Sequence, residues 1–334
     1  MKAEDLLHPR PEGLYCPPGD FYIDPVKPVA RALITHGHAD HARAGHGSVM
    51  ATRQTLDIMG LRYGEGFAGS VQAAEGMTDV GGVEVSFHPA GHVLGSAQIR
   101  VARKGLRIVA AGDYKRGVDP TAATFEPVDC DVFITEATFG LPVFRHPDPL
   151  AEIGKLLTSL QQFPERAHLV GVYALGKAQR VLRLIRDAGY GEVIYLHGAL
   201  QTLCDYYVSE GIDLGPLAPA TVDRSLKDQF AGRIILGPPS AFAAKWAQRF
   251  PDPLIAFASG WMQIRARTKQ RGVELPLVIS DHADWRELTE TLEELGPEEV
   301  WVTHGREEAL VRWCELQGMA ARPLHLVGYE DEAE

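Results

Sequence analysis

Short apolar runs rich in Val, Ile and Phe, separated by Gly, Pro and Asp, fill most of the chain up to residue 140, and this texture predicts strands. The clearest are 32–35, 83–87, 97–102, 106–111 and 132–135, and Arg103-Lys104-Gly105 predicts a hairpin between the third and fourth of these. After Pro142 the pattern changes. Strand-like runs at 168–173, 193–196, 234–236 and 254–258 alternate with amphipathic helical ones at 153–161, 177–188, 200–209 and 241–249. That alternation predicts an α/β unit with a parallel sheet of its own. From Leu275 the chain reads strand, helix, strand, helix, strand over 275–279, 285–295, 300–303, 307–316 and 323–327. The short linkers Pro147-Asp148-Pro149 and 269–272 divide an outer part, 1–145 with 272–334, from an inserted part, 146–271.

With 334 residues, 45% hydrophobic and 23% charged, the chain is long and apolar enough for one large or two modest cores, which excludes disorder. It has no apolar stretch of about 18 residues, and Met1-Lys2-Ala3-Glu4-Asp5 does not read as a signal peptide, so a soluble cytoplasmic protein with no membrane partner is expected. Cys16, Cys130, Cys204 and Cys314 form no C-x-x-C pair, so any metal must be held by His and carboxylate. A net charge of -11 argues against an electrostatic coat on nucleic acid. It leaves room for an enzyme whose carboxylates bind divalent ions, because bound cations reverse the local field.

The candidate chemistry begins directly after the first strong strand, at His36-Gly37-His38-Ala39-Asp40-His41. In an extended segment residues two apart point the same way, so His36 and His38 can share one ion while Asp40 and His41 point past it. Gly91-His92, Gly112-Asp113 and His304-Gly305 each lie at a strand end, where loops converge on a site. One ion could take His36, His38 and His92 and another Asp40, His41 and His304, with the Asp113 carboxylate bridging. Two ions so bridged, about 3.5 to 4 Å apart, perform hydrolytic chemistry. The ligand mixture suits zinc or manganese, with iron also possible. Asp24 is a candidate acceptor for the outer N–H of a ligand imidazole. Glu136, beyond an apolar strand, and His282, in Ser280-Asp281-His282-Ala283-Asp284, supply a carboxylate and an imidazole for general acid work.

These motifs resemble the metallo-β-lactamase superfamily, and Glu136, His282 and the inserted α/β segment resemble its nucleic-acid-cleaving β-CASP branch. The likeness spans nearly the whole chain with the motifs in order. It is strongest towards bacterial ligase-associated DNA exonucleases, through Ser280 to Asp284 and Phe257-Ala258-Ser259-Gly260-Trp261-Met262. The resemblance implies an α/β protein with a four-layer αββα core and an inserted β-CASP-like domain for substrate. It implies a metal-dependent DNA exonuclease of repair, working 5′ to 3′ on single strands, with a DNA ligase or helicase as functional associate. Asp40, Asp113, Glu136 and His282 would then carry catalysis. A His at position 304 is usual in RNA-cleaving members, which keeps an RNA-processing nuclease as the alternative. A small-molecule metallo-hydrolase would leave Glu136, His282 and the insert without a role.

The insert can be read for phosphate-binding features independently. Lys177, Arg180, Arg183 and Arg186 recur every three residues on a predicted helix, a drifting basic stripe, and the start at Gly176-Lys177 offers backbone N–H groups beside a Lys. Arg265, Arg267, Lys269 and Arg271 alternate at period two and, if extended, place four cations on one side. Ser259 and Gly260 offer a hydroxyl and N–H groups after a strand.

Overall fold

The hairpin expected at Arg103-Lys104-Gly105 forms the middle of a seven-stranded sheet: Ala97–Arg103 and Leu106–Ala110 run antiparallel, with Leu106 opposite Arg103. Lys104 and Gly105 both take positive φ, 50° and 84°, as a tight connection requires. The computed structural model describes residues 1–221, 229–242, 246–250, 252–270 and 272–326. The fold is mixed α/β and divides into two units, 1–145 with 282–334, and 146–281.

In the first unit the seven-stranded sheet runs, edge to edge, through Ala320–Pro323, Glu299–Gly305, Val132–Ala137, Leu106–Ala110, Ala97–Arg103, Glu84–Pro89 and Met77–Asp79. A second sheet has six strands in chain order: His8–Arg10, Gly13–Cys16, Phe21–Ile23, Arg31–Leu33, Ser48–Ala51 and Val71–Ala73. Alternation sorts the apolar side chains into separate cores. Leu14, Phe21, Ile23 and Leu33 of the second sheet share one cluster with Ile99, Val101, Ile108, Ile134 and Trp301 of the first. On their other faces, Ala32, Ile34 and Val49 pack with Leu56 and Met59 of helix Arg53–Tyr63. Val109, Phe133, Val300 and Val302 pack with Leu288 and Leu292 of helix Trp285–Leu295 and Leu310 of helix Glu307–Leu316. Trp301 is fully buried, and its truncation to Ala would cost about 3–5 kcal/mol.

Helix Trp285–Leu295 starts and stops where its sequence directs. The Asp284 side chain accepts from the Glu287 N–H, Glu287 reaches back to the Asp284 N–H, and Gly296 ends the helix in the left-handed region at φ 51°.

The second unit holds a six-stranded sheet in the order Leu217–Pro219, Ile194–Leu196, Ile234–Gly237, His168–Gly171, Leu254–Ala258, Leu275–Leu277. Its pairings are parallel. Helices Pro149–Gln162, Lys177–Asp187 and Gly198–Ser209 belong to the same unit. Of the run 241–249, the chain is helical at Pro239–Phe242 and makes a 3-10 turn at Ala247–Arg249, and 243–245 lie outside the described residues. Segment 272–281 falls with the second unit rather than the outer part, because Leu275–Leu277 adds an edge strand beside Ala256–Ala258. The last strand is Ala320–Pro323 rather than 323–327. Val327 and the acidic tail lie outside the described residues. Among the described residues no helix is long and apolar enough to cross a membrane.

Candidate metal centre

The His36–His41 segment leaves strand Arg31–Leu33 and closes as a turn, the His38 carbonyl accepting from the N–H groups of His41 at 3.2 Å and Ala42 at 2.7 Å. His36 and His38 lie beyond the end of the strand, so strand alternation is not what brings them together, and their ring centroids are 5.0 Å apart. Arg62, on the helix after Ser48–Ala51, fixes the turn from outside by donating to the Gly37 carbonyl at 2.5 Å.

Asp24 sets the ring orientations. Its Oδ1 accepts from the Thr35 N–H at 2.8 Å, and its Oδ2 accepts from the Thr35 hydroxyl at 2.5 Å and lies 2.8 Å from His41 Nδ1. Thr35 Oγ1 in turn lies 3.0 Å from His36 Nδ1. With the Thr35 proton given to Asp24, the hydroxyl can accept a proton from His36 Nδ1, which leaves the lone pair of His36 on Nε2. That atom is buried with no hydrogen-bond partner. A buried imidazole nitrogen in that state is what a cation would coordinate.

Two strand ends deliver the next candidate ligands. Gly112 holds φ at 59°, and a Cβ there would lie 2.8 Å from the Thr35 side chain, so glycine lets Asp113 approach the His36 loop closely. At the other end the pairing of Val132–Ala137 with Glu299–Gly305 slips by one residue, and the bulged His304 sits at φ 58° before Gly305 at φ 91°. A non-glycine residue in that region is strained, and a bulge re-aims its side chain. The His304 ring centroid lies 5.4 Å from that of His41.

His36, His38, His92 and Asp113 each present one ligand atom, all within 4.8 Å of one another. Asp113 Oδ2 lies 3.3 Å from His36 Nε2, 3.5 Å from His41 Nε2 and 3.8 Å from His92 Nε2. One carboxylate oxygen thus faces both proposed sets. Asp40 Oδ2 is 3.6 Å from His41 Nε2, and His38 Nδ1 is 3.0 Å from His92 Nε2. The second set, Asp40, His41 and His304, is looser than the first.

Burial and neighbouring charges shift the titration of these groups in opposite directions. Burial, then the neighbouring imidazoles of His41, His92 and His38, holds His36 well below the usual histidine range. Burial and His41 push His304 down to about 3, against the opposing pull of Asp40. Burial also opposes the charged form of His41, but Asp113, Asp40 and Asp24 outweigh it and raise that imidazole to about 10. Burial raises Asp113, whereas His41 and His38 outweigh burial at Asp40 and lower it. His36 and His304, held neutral by burial, stand among the carboxylates of Asp40 and Asp113 in a buried site, a donor set that fits a divalent cation.

Beside this cluster Glu136 clasps His282. Nδ1 of His282 lies 3.0 and 3.2 Å from the two Glu136 oxygens, and the Tyr114 N–H donates to Glu136 Oε1 at 2.9 Å. Glu136 is fully buried and His282 is 4% exposed. The His282 ring lies tilted by 57° against that of His92, with centroids 4.6 Å apart, and meets Phe139 edge-on at 6.3 Å.

The expected phosphate-binding residues of the insert lie differently. Lys177 and Arg180 are buried, and Lys177 Nζ donates to Asp281 at 2.5 Å and to the Ile279 carbonyl at 3.2 Å. The N–H of Gly176 is taken by Gln179 Oε1, that of Lys177 by the Leu175 carbonyl and that of Ala178 by Tyr173, so these donors are not open to an anion. Arg183 pairs with Asp187, and Arg186 donates to the carbonyls of Tyr190, Glu192, Leu214 and Pro216. The basic stripe is thus built into the unit. Ser259 is buried and caps the turn Gly260–Gln263 by accepting from the Trp261 N–H. Arg265, Arg267 and Lys269 lie on a helix, Arg265–Gln270, not on an extended strand, so alternate cations diverge. Arg265 and Lys269 are exposed, Arg267 stacks over Trp261 at 4.0 Å, and Arg271 lies outside the described residues.

Thr35, Arg62 and Tyr114 had no sequence signal: each acts through a neighbour that only folding supplies.

No family model matches this chain. It is 25% identical over 321 residues to the "Probable DNA ligase" of Opitutus terrae, spanning 90% of this chain and 30% of that protein. It is 34% identical over 134 residues to "Endoribonuclease ysh1" of Emericella nidulans, 39% of this chain and 14% of that protein. With "Cleavage and polyadenylation specificity factor subunit 3" of Dictyostelium discoideum it shares 28% over 218 residues, 54% of this chain and 28% of that protein. The chain thus spans less than a third of these relatives. A crystal structure of a protein of unknown function from Enterococcus faecalis superposes with a TM-score of 0.59 over 89% of this chain and 80% of that one, at 12% identity, and shows a shared fold. The named relatives support the superfamily that the histidine motif resembles, without selecting a branch within it.

Proposed function

We propose that the protein is a metal-dependent nuclease of the β-CASP branch of the metallo-β-lactamase superfamily, most similar to the ligase-associated DNA exonucleases of bacteria. The observation that carries the reading is the convergence of His36, His38, His92 and Asp113 beside a buried Glu136–His282 pair. A ligand cluster alone serves many hydrolases, but an oriented imidazole is what a poor alkoxide leaving group needs. On this reading the first unit is the four-layer αββα catalytic domain and the second, 146–281, is the substrate-binding insert. The substrate is DNA, degraded 5′ to 3′ from single-stranded ends. The similarity over 90% of the chain to a protein named a probable DNA ligase supports DNA. Relatives named as endoribonucleases, together with His304, support RNA equally and define the second reading.

His36, His38 and His92 would hold one divalent ion, and Asp40, His41 and His304 another, with Asp113 between them. Zinc or manganese fits the donors, and iron is admitted by the oxygen ligands. Such ions supply polarisation of the phosphoryl group and a water acidic enough to attack at neutral pH. The protein does the rest. Asp24 and Thr35 fix the His41 and His36 rings, Glu136 holds Nδ1 of His282, and His282 delivers its other ring proton to the departing oxygen.

Purified protein with manganese or zinc, given single-stranded DNA and matched RNA labelled at either end, tests this. A stepwise ladder from the 5′ end of DNA, absent with Asp113→Asn, is expected. Preferential cutting of RNA would move the assignment to the second reading. No metal-dependent cleavage of either polymer would overturn both.

A further inference from the structure

The five residues Asp113-Tyr114-Lys115-Arg116-Gly117 touch every part of the acid apparatus. Asp113 faces the histidine cluster. The Tyr114 N–H holds Glu136 at 2.9 Å, and the Tyr114 carbonyl accepts from the Ala283 N–H at 2.7 Å. Lys115 is only 8% exposed; its Nζ donates to Glu287 Oε2 at 2.8 Å and reaches the His282 carbonyl at 3.4 Å. The Gly117 N–H donates to Glu287 Oε1 at 2.6 Å. Glu287 is itself the carboxylate of the capping box that follows His282.

We infer that Lys115, through its ion pair with Glu287 and its contact with the His282 carbonyl, is a positioning residue that fixes the His282 ring relative to the Asp113 carboxylate. The inference rests on the nuclease reading above. Lys115 need not touch substrate. A buried ammonium that ties one segment to the start of a helix leaves the His282–Ala283 backbone little freedom, so the ring can turn only about its own side-chain bonds. Glu136 then removes much of that remaining freedom. A lysine between a metal carboxylate and a glycine reads in sequence as an ordinary surface cation. The partner that buries it lies 172 residues away.

The chemistry separates positioning from general structural support. A sugar alkoxide leaving group must be protonated, whereas p-nitrophenolate leaves unaided near neutral pH. Lys115→Met and Glu287→Gln break the clamp from its two ends, so one remains informative if the other fails to fold. With bound metal equal to wild type, each is expected to lower turnover on labelled single-stranded DNA or RNA about 10–100-fold, part of what general acid catalysis supplies. Hydrolysis of bis(p-nitrophenyl) phosphate should fall by no more than about twofold, and Lys115→Arg should restore much of the loss on the polymer. In a His282→Ala background, Lys115→Met should add little further loss, since both act on one step. Equal losses on polymer and nitrophenyl ester, additivity with His282→Ala, or no loss on either substrate would overturn the inference. Wild-type protein inactive with metal on all three substrates would instead overturn the nuclease reading, and with it this one.

Discussion

Glu136 and His282, separated by 146 residues in sequence, meet as a buried pair with His282 Nδ1 3.0 Å from Glu136 Oε2. Because the carboxylate engages Nδ1, the proposed general acid would act through Nε2, with its imidazolium form stabilised by Glu136. Replacing Glu136 by Gln removes that charge while keeping an acceptor. Turnover on nucleic acid should fall about 100-fold in Glu136→Gln and by at least as much in His282→Ala, with metal content unchanged, as single-turnover assays and elemental analysis would check. Loss of metal in Glu136→Gln would place Glu136 among the ligands instead, consistent with its proximity to Asp113.

Asp24 serves two rings through one carboxylate: it engages His41 directly and His36 through Thr35. It also sits at φ 44°, which Asn tolerates better than most residues. Asp24→Asn therefore keeps the backbone and removes the charge. Metal affinity is expected to fall about 10–100-fold, measured by competition with a chelator, while the stability of the chelated protein changes much less.

The density of candidate ligands at 36–41 made the metal motif legible, and the helical run expected at 285–295 is the helix Trp285–Leu295. The surroundings of the candidate phosphate contacts were less legible, for a physical reason. Charge spacing does not report burial. Lys177 looked like an open cation because Asp281, which neutralises it, lies 104 residues on. Arg186 looked like a phosphate ligand, yet it satisfies carbonyls at the end of its own helix and in 214–216. The alternating charges of Arg265 to Lys269 would share one side only in an extended segment, whereas Arg, Ala, Lys and Gln are strong helix formers and the segment is helical. In the histidine segment the candidate ligands were legible but the way the fold brings them together was not.

These assignments separate two kinds of arginine. Arg186→Ala should cost about 2–4 kcal/mol of stability by leaving several carbonyls without their charged donor, with the salt dependence of nucleic-acid binding unchanged. Arg265→Ala should leave the melting temperature within about a degree or two, because the side chain is exposed. If it meets a phosphate, the slope of log affinity against log salt should drop by roughly one unit. Denaturant titration and fluorescence anisotropy at several salt concentrations would read both, and an unchanged slope for Arg265→Ala would remove that residue from the substrate path.

His168 gives the second unit a pH dependence of its own. The imidazole is fully buried on the strand His168–Gly171, with Nε2 2.9 Å from the Ser159 hydroxyl and Nδ1 3.3 Å from the Arg166 carbonyl. Burial holds its pKa below the usual value of 6.5, outweighing the backbone hydrogen bonds that raise it. The unfolded chain therefore binds a proton at this site before the folded one does. The contribution to stability is complete above pH 6.5 and is lost as the pH falls below that value towards the folded pKa. His168→Gln, which keeps polar contacts but does not titrate, should be less stable than wild type at pH 8 and lose less stability between pH 7 and pH 5. Urea midpoints across that window would show the two curves converging as the pH falls. Parallel curves would mean that acid destabilisation arises elsewhere in the chain.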